Sequence, residues 1–460
     1  MLRKWQLMED WINSMTLQDV VAKLKAENRL VTIKNSVSPL HELAGVAKKF
    51  EGRQAVLFER VHGHEYPVLI GLWWNRSNVA AVFNTDEEQL PFLIANAVKE
   101  FQVAPIAPIV VANPPCQEIL MSEADLLKIP TPTLALEDGG AYFSNAVIVA
   151  RDPDTGIRNT SVHRVQIKGK NKAAMLMDTG RHLRNYYERA EKDGKALDIT
   201  INIGVPPAVY IAAITPSSAA PIDTDELGIA AVLDENRPVQ LSQSKLVDVE
   251  GIAEAQVVIE ASIIPHERVD EGPFGEVSGY YAECAERWAV DVKAITHRKS
   301  PIIHSLLPGK EVWNSVGLTA EANIFKTVSN QIPGLKKVSL SHGGCGFYGA
   351  IIQIDAPHKG MAKNAILSTF AAFPPLHMVI AVNSDVEIDD AEDVFRAMAT
   401  RCVPDEDIIV IPKCFGHELN PATNKGFGAK MGFDCTVSLT DPAFKRVRFV
   451  DINLENYIVE

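Results

Sequence analysis

The chain has 460 residues, 47% of them hydrophobic and 22% charged, with a formal net charge of −13. Such a length predicts roughly two to four domains with real cores. The acidic balance excludes a general nucleic-acid binder, which needs a basic face, but not an anionic substrate in a locally basic pocket. The six cysteines (Cys116, Cys284, Cys345, Cys402, Cys414 and Cys435) show no CxxC spacing. They read as reduced thiols, not as a disulfide framework or zinc site. Residues 1–15 lack the apolar core of a signal peptide. The most apolar stretches, 103–115 and 205–214, contain prolines and are too short to span a membrane. The expectation is a cytoplasmic protein with no transmembrane segment.

Residues 16–28 predict a short amphipathic helix, with Thr16 as N-cap and Leu17, Val20, Val21 and Leu24 on one face. Strands at 29–34, 54–58 and 66–71 and a helix at 41–50 make an α/β module. Pro130 and Pro132 mark a boundary near 126–132. Strands then dominate, at 145–150, 159–168, 174–177 and in the alternating run Leu197–Ile203, with a turn at Asp152-Pro153-Asp154-Thr155-Gly156. Helices are expected from Arg181 to about Lys192, at 206–214 and at 226–234. Long strands at 255–264 and 287–297 complete a partly closed barrel. Beyond Pro301, strands at 337–340, 351–354, Met378–Val382 and 408–411 alternate with helices at 319–331, 361–370 and 390–399. That alternation predicts a mostly parallel sheet with crossover helices. The tail 445–460 is expected to dock on another surface, a second subunit included. The domain division is 1–128, 129–308 and 309–460.

The chemistry gathers around Asp270-Glu271-Gly272-Pro273-Phe274-Gly275-Glu276. Residues five apart on a regular strand face opposite sides. Pro273 and the two glycines break the strand, so both glutamates can point into one cavity. Paired carboxylates do not ionise independently, and the one with the raised pKa becomes a proton donor at neutral pH. The strand 159–168 carries Asn159, Ser161, His163 and Arg164. Alternation puts Ser161 and His163 on one face and Arg164 on the other. Asn159 then shares a cavity with Arg164 only from a preceding loop or past a bulge. Arg164 offers a planar fork that suits a carboxylate. His182 sits in a helix's first turn, where anions are favoured, and a cation held there would neutralise a phosphate. Asn159, His182 and Glu226 together suit manganese or magnesium better than zinc. Taken singly, each piece also fits a bland role: a solvated turn, an exposed strand arginine, a helix-start histidine, a carboxylate offsetting a helix dipole. GxGxxG at a helix start, the Walker A lysine motif, HExxH and GxSxG are all absent, which counts against dehydrogenase, P-loop and serine-hydrolase readings.

Together, Asn159-Thr160-Ser161-Val162-His163-Arg164, His182, Glu226 and Glu271-Gly272-Pro273-Phe274-Gly275-Glu276 resemble the UbiD-type decarboxylase family. The run GVPPAVYIAA from Gly204 and the segment 390–401 add to a similarity that covers nearly the whole chain. The resemblance implies an α/β (α+β) protein of three domains: an N-terminal α/β domain, a central flavin-binding split β-barrel and a C-terminal α/β domain suited to oligomerisation. It implies a carboxy-lyase that reversibly and non-oxidatively decarboxylates an aromatic, heteroaromatic or α,β-unsaturated acid to release CO₂. The implied cofactor is prenylated FMN, a covalent electron sink supplied by a separate flavin prenyltransferase.

By the same resemblance, Asn159, His182 and Glu226 (chosen from Asp223, Asp225 and Glu226) would hold a divalent metal, usually Mn²⁺, bridging to the cofactor phosphate beside K⁺ or Na⁺. Ser161, Val162, His163 and Arg164 would line the cofactor with Arg181. Arg164, Glu271 and Glu276 would be the catalytic set, with Arg164 paired to Glu271 and Glu276 as proton donor. Substrate-pocket candidates are His304, Leu306, Phe325, His377 and the loop 415–423. His304 points the expectation to a small polar aromatic or heteroaromatic acid. A homodimer or hexamer is expected. The alternatives are an FMN-dependent oxidoreductase on a split barrel and a non-catalytic metal-and-nucleotide-binding scaffold.

Overall fold

A computed structural model describes residues 15–355, 358 and 360–452. The first helix, Leu17–Ala26, starts where its cap predicts. The Thr16 hydroxyl accepts the Asp19 N–H, and the Asp19 carboxylate accepts the Thr16 N–H, a reciprocal capping box. A four-stranded sheet follows, in the order Leu30–Ile33, Ala55–Phe58, Val68–Ile70 and Ile303–His304. Its last strand comes from far downstream and runs parallel to Val68–Ile70. Between Val68–Ile70 and residue 109 two helices lie beyond those expected, Arg76–Val82 and Leu90–Val103. The second buries Leu90, Ile94, Ala97, Val98 and Phe101. That stripe of positions i, i+4, i+7, i+8 and i+11 is one helix face.

The central unit is a closed barrel. Six antiparallel strands pair in the order Val257–Glu271, Leu197–Ile203, Tyr142–Arg151, Arg158–Ile167, Lys172–Met175 and Ala285–His297, and the last pairs with the first. The alternating residues Ile199, Ile201, Ile203, Val257, Ile259, Ala261 and Ile263 fill its core. The strand expected to end near 264 continues to Glu271, so the glutamate motif opens on a barrel strand.

The C-terminal sheet runs Leu335–Leu340, Gly349–Ile354, Met378–Val382, Phe427–Cys435, Ile408–Phe415. Its inner pairs are parallel and its outer pairs antiparallel. This mixed sheet corrects the mostly parallel expectation. Phe427–Cys435, with two glycines and a lysine, carries no apolar run, yet inserts beside Met378–Val382 and pushes Ile408–Phe415 to the edge. Residues 445–452 adopt neither helix nor strand. The rest of the tail, 453–460, and residues 1–14 lie outside the described residues, so the docking expected of the tail does too. Among the described residues no helix is long and apolar enough to cross a membrane.

One buried carboxylate ties the N-terminal sheet to the connection into the last domain. Glu311 is fully buried and accepts N–H bonds from Gly71 at 2.9 Å, Trp73 at 3.3 Å and Leu307 at 2.7 Å. Burial pushes its pKa up to about 8, against the pull of those three amides. Glu311→Ala strands three buried donors and is expected to cost about 3 kcal/mol or more, read as a lowered denaturation midpoint. Glu311→Gln, which keeps an acceptor, should lose less.

Candidate active site

The turn after Glu271 is shaped by its neighbours. Asp138 accepts the Gly275 N–H at 2.8 Å through Oδ1, and Oδ2 accepts the Leu134 and Ala135 N–H groups. The Gly139 N–H donates to the Pro273 carbonyl at 2.8 Å. A Cβ on Gly139 would lie 2.1 Å from the Gly272 carbonyl oxygen, so only glycine permits this approach. Gln166 accepts the Gly272 N–H at 3.1 Å. The turn is thereby held against the barrel strand Arg158–Ile167, which carries Arg164.

In the partner strand, Phe143 sits opposite Val165 and Ala146 opposite His163. Ser144 and Asn145 therefore both face Arg164, a β-bulge at the height of the arginine. Arg164 uses its whole fork. Nε and Nη2 each donate to Glu271 at 2.9 Å, on Oε1 and Oε2, and Nη1 donates to Glu276. The Tyr142 hydroxyl also donates to Glu271 Oε1 at 3.0 Å. The Arg164 guanidinium lies 5.0 Å from the centroid of the Phe274 ring. Glu271 is fully buried and accepts three side-chain hydrogen bonds. Glu276 keeps 13% of its side chain exposed and accepts one from a side chain. Burial pushes the Glu276 carboxyl up, opposed by Arg164 and reinforced by Asp178 and Glu271. Carboxylate neighbours hold the Arg164 guanidinium above its ordinary range. Burial beside Glu271 raises the Tyr142 phenol, so it stays a donor.

The other end of the strand is organised by a relay of hydrogen bonds. Burial, reinforced by Arg181, lowers His163 to about 4, so its imidazole is neutral. Its Nδ1 bonds the Leu176 carbonyl at 3.0 Å and therefore carries the proton, leaving Nε2 to accept from the Ser161 hydroxyl at 3.0 Å. Ser161 Oγ in turn accepts from Asn159 Nδ2 at 2.9 Å. The Asn159 amide is thus oriented with its oxygen free of the relay. Glu226 is buried, its Oε2 accepts the Thr160 N–H at 2.8 Å, and its Oε1 lies 3.5 Å from His182 Nδ1. Asp225 is committed to Arg158, which leaves Glu226 as the acid beside His182. Among the described residues no three His, Cys, Asp or Glu side chains cluster as a metal site. A cation here would need the Asn159 amide oxygen as well, and the relay leaves that oxygen available. The donor set fits an oxygen-seeking divalent cation.

One cavity adjoins this strand, and a second opens beside the first. The first, of about 160 Å³, is lined by Val162, His163, Arg164, Asp178, Arg181 and Glu276 among others. The second, of about 250 Å³, shares Asp178, Arg181, Val316, Phe347 and His417 with it. Through these shared residues they form one continuous space between barrel and C-terminal domain.

The pocket candidates scatter. Leu306 and members of the loop 415–423 line these cavities. His304 is buried in the strand lent to the N-terminal sheet. Its Nδ1 lies 3.1 Å from Asn145 Nδ2, its Nε2 has no partner, and its ring meets Tyr210 edge-on. Phe325 lines a different cleft with Arg76 and Glu321. It lies nine residues after Val316 on helix Val316–Ser329, which is two and a half turns and about 14 Å along, on the opposite face. His377 lines a small cavity with Lys430. The sequence reading missed Tyr142, Asp138 and Gln166. Only the polar pair Ser144-Asn145 inside Tyr142–Arg151 and the Asp138-Gly139-Gly140 turn hinted at them.

Three family models match the chain: the 3-octaprenyl-4-hydroxybenzoate carboxy-lyase N-terminal domain at residues 21–98, the Rift-related domain at 109–311 and the C-terminal domain at 314–435. The chain belongs to the UbiD family of carboxy-lyases. It is 47% identical over 438 residues to an uncharacterised protein of the cooM 5′ region of Rhodospirillum rubrum, covering 95% of this chain and 94% of that one. It is 32% identical to the anhydromevalonate phosphate decarboxylase of Methanosarcina mazei, covering 93% and 97%. The solved structure of the UbiD-class enzyme HmfF from Pelotomaculum thermopropionicum in complex with FMN superposes with a TM-score of 0.90 at 36% identity, covering 96% and 100%. An evolved dimeric form of HmfF in complex with prFMN gives 0.88 at 35%, covering 97% and 100%.

The Arg164 grip makes a stability prediction. Arg164→Ala leaves Glu271 buried and unpaired and should cost about 3–5 kcal/mol, read in chemical denaturation. Adding Glu271→Gln should recover much of that loss.

Proposed function

We propose that the protein is a prenylated-FMN-dependent decarboxylase, acting reversibly on an aromatic, heteroaromatic or α,β-unsaturated carboxylic acid, with Glu276 as the proton donor. The observation that carries this reading is the unequal sharing of Arg164: two bonds plus the Tyr142 hydroxyl to Glu271, one bond to Glu276. The HmfF complexes with FMN and prFMN support the cofactor assignment. Asn159, His182 and Glu226 would hold Mn²⁺ or another divalent cation at the cofactor phosphate, with K⁺ or Na⁺ beside it. The free Asn159 oxygen and the buried Glu226 support that role.

Prenylated FMN, when bound, supplies a covalent electron sink for the charge left as CO₂ departs. The chain's own residues do the rest. Arg164 places a fixed positive charge beside the substrate carboxylate, and Glu271 fixes Arg164. Val162, Leu306, Val316, Phe347 and Leu419 give the cavity apolar walls, which exclude water from a carboxylate that must lose its charge. Glu276 then delivers its proton to the carbon, and removes it in the carboxylation direction.

The acid works only when protonated, and burial raises its pKa. The decarboxylation rate is therefore highest below that raised pKa and falls as pH rises through it. Glu276→Gln should lower turnover by about 100-fold or more while flavin stays bound, read as CO₂ release and deuterium exchange into product. Protein made in cells lacking a flavin prenyltransferase should be inactive, and the mass of the released cofactor should be that of prenylated FMN. A plain FMN mass with NAD(P)H consumption would instead support the oxidoreductase, and full activity without flavin would overturn the proposal.

A further inference from the structure

The space between barrel and C-terminal domain is lined by two polar groups whose hydrogen-bonding capacity is unmet, Asp178 and His417. Asp178 follows the barrel strand Lys172–Met175 and lines both cavities. Its Oδ1 is buried and has no hydrogen-bond partner. His417 lies across the space, in the loop after the strand Ile408–Phe415, and lines both cavities as well. Its Nδ1 accepts the Leu419 N–H at 3.2 Å. Burial lowers its pKa, and Arg181 lowers it further against the pull of Asp178, so the ring is neutral. A neutral imidazole that accepts at Nδ1 carries its proton on Nε2. Among the described residues that Nε2–H has no acceptor. Tyr348, with its ring centroid 6.0 Å from that of His417, has a buried hydroxyl that is also without a partner. Phe347 packs edge-on to His417 at 5.4 Å and backs this arrangement with an apolar wall.

One acceptor and one donor left open on the walls of one space match a group that both donates and accepts. A hydroxyl donates one hydrogen bond and accepts up to two. A second carboxylate accepts only and would face Asp178. An alkyl or hydrogen substituent would leave the buried Asp178 oxygen unpaired, which is costly. The same cavity carries Arg164 and Glu276, which places the pair in the space where the proposed substrate carboxylate reacts.

We propose that Asp178 and His417 are a specificity-determining pair that reads a hydroxyl on the substrate, so that the acid turned over is a hydroxylated one. This rests on the decarboxylase reading. A ribityl hydroxyl of the flavin offers the same chemistry from another source, and the flavin content of the variants separates the two.

The test uses full-length, flavin-loaded wild type, Asp178→Asn, His417→Phe and His417→Gln. Acids are compared in matched pairs with and without one hydroxyl: 4-hydroxycinnamate with cinnamate, and 5-hydroxymethylfuran-2-carboxylate with 5-methylfuran-2-carboxylate. 4-Carboxycinnamate is the doubly charged control. The readouts are flavin content and kcat/KM for CO₂ release. Intrinsic reactivity differences within a pair cancel when wild type is compared with variant. Wild type should prefer the hydroxylated member. Asp178→Asn and His417→Phe should each cut that preference about tenfold or more with flavin content retained, and His417→Gln, which keeps a donor near the Nε2 position, should restore part of it. An unchanged preference in both variants, a wild-type preference for the unhydroxylated or doubly charged acid, or loss of flavin from Asp178→Asn would overturn the proposal. If flavin-loaded wild type turns over no acid in a broad panel, the decarboxylase reading itself fails. Turnover without a hydroxyl effect removes only the specificity pair.

Discussion

The site depends on one guanidinium shared between two carboxylates. A single positive charge in a buried setting does not neutralise two negative ones, so one carboxyl is better off protonated. Geometry decides which. Glu271 receives two arms of the Arg164 fork and the Tyr142 hydroxyl, and Glu276 receives the remaining arm. Bidentate, charge-assisted bonds are the strong ones, so the proton belongs on Glu276. On the proposed reading, the same sharing leaves Glu276, which lines the cavity, as the group able to reach a substrate, while Glu271 is sealed away as the anchor of Arg164.

The fold makes this unequal sharing rigid from three directions. Barrel closure sets Val257–Glu271 beside Ala285–His297 and ends the strand at the anchor glutamate. The segment from Leu134 to Gly139 grips the turn through Asp138 and a glycine contact too tight for any side chain. Val277, next to the acid, is buried in the core of the C-terminal domain with Ala320 and Ile324. Glu276 therefore sits where barrel and last domain meet, and its position is coupled to both. The residues that line the adjoining cavities come from the same two units.

Local patterns in the sequence translate directly into structure. Leu197–Ile203 alternates as a half-buried strand should, the helix after Gly180 begins at His182 with Arg181 as its cap, and Ser161 and His163 share a face. The glutamate pair is legible because proline and glycine announce the break between its members. What escapes is pairing over long separations. Nothing near Tyr142 shows that its hydroxyl meets a carboxylate 129 positions later. Nothing near Asp225 shows that Arg158 claims it and leaves Glu226 to His182. His304 is drawn into the N-terminal sheet by strand pairing with Val68–Ile70, and Phe325 is turned away by helix phase. The barrel bulge opposite Arg164 is invisible in either strand alone, because it exists only in their register.

The unequal protonation of the two glutamates is the central claim, and infrared difference spectroscopy reads it directly. With ¹³C-labelled glutamate in flavin-loaded protein at neutral pH, the account predicts a protonated-carboxyl stretch that disappears in Glu276→Gln and persists in Glu271→Gln. A band that disappears in Glu271→Gln and persists in Glu276→Gln would contradict it.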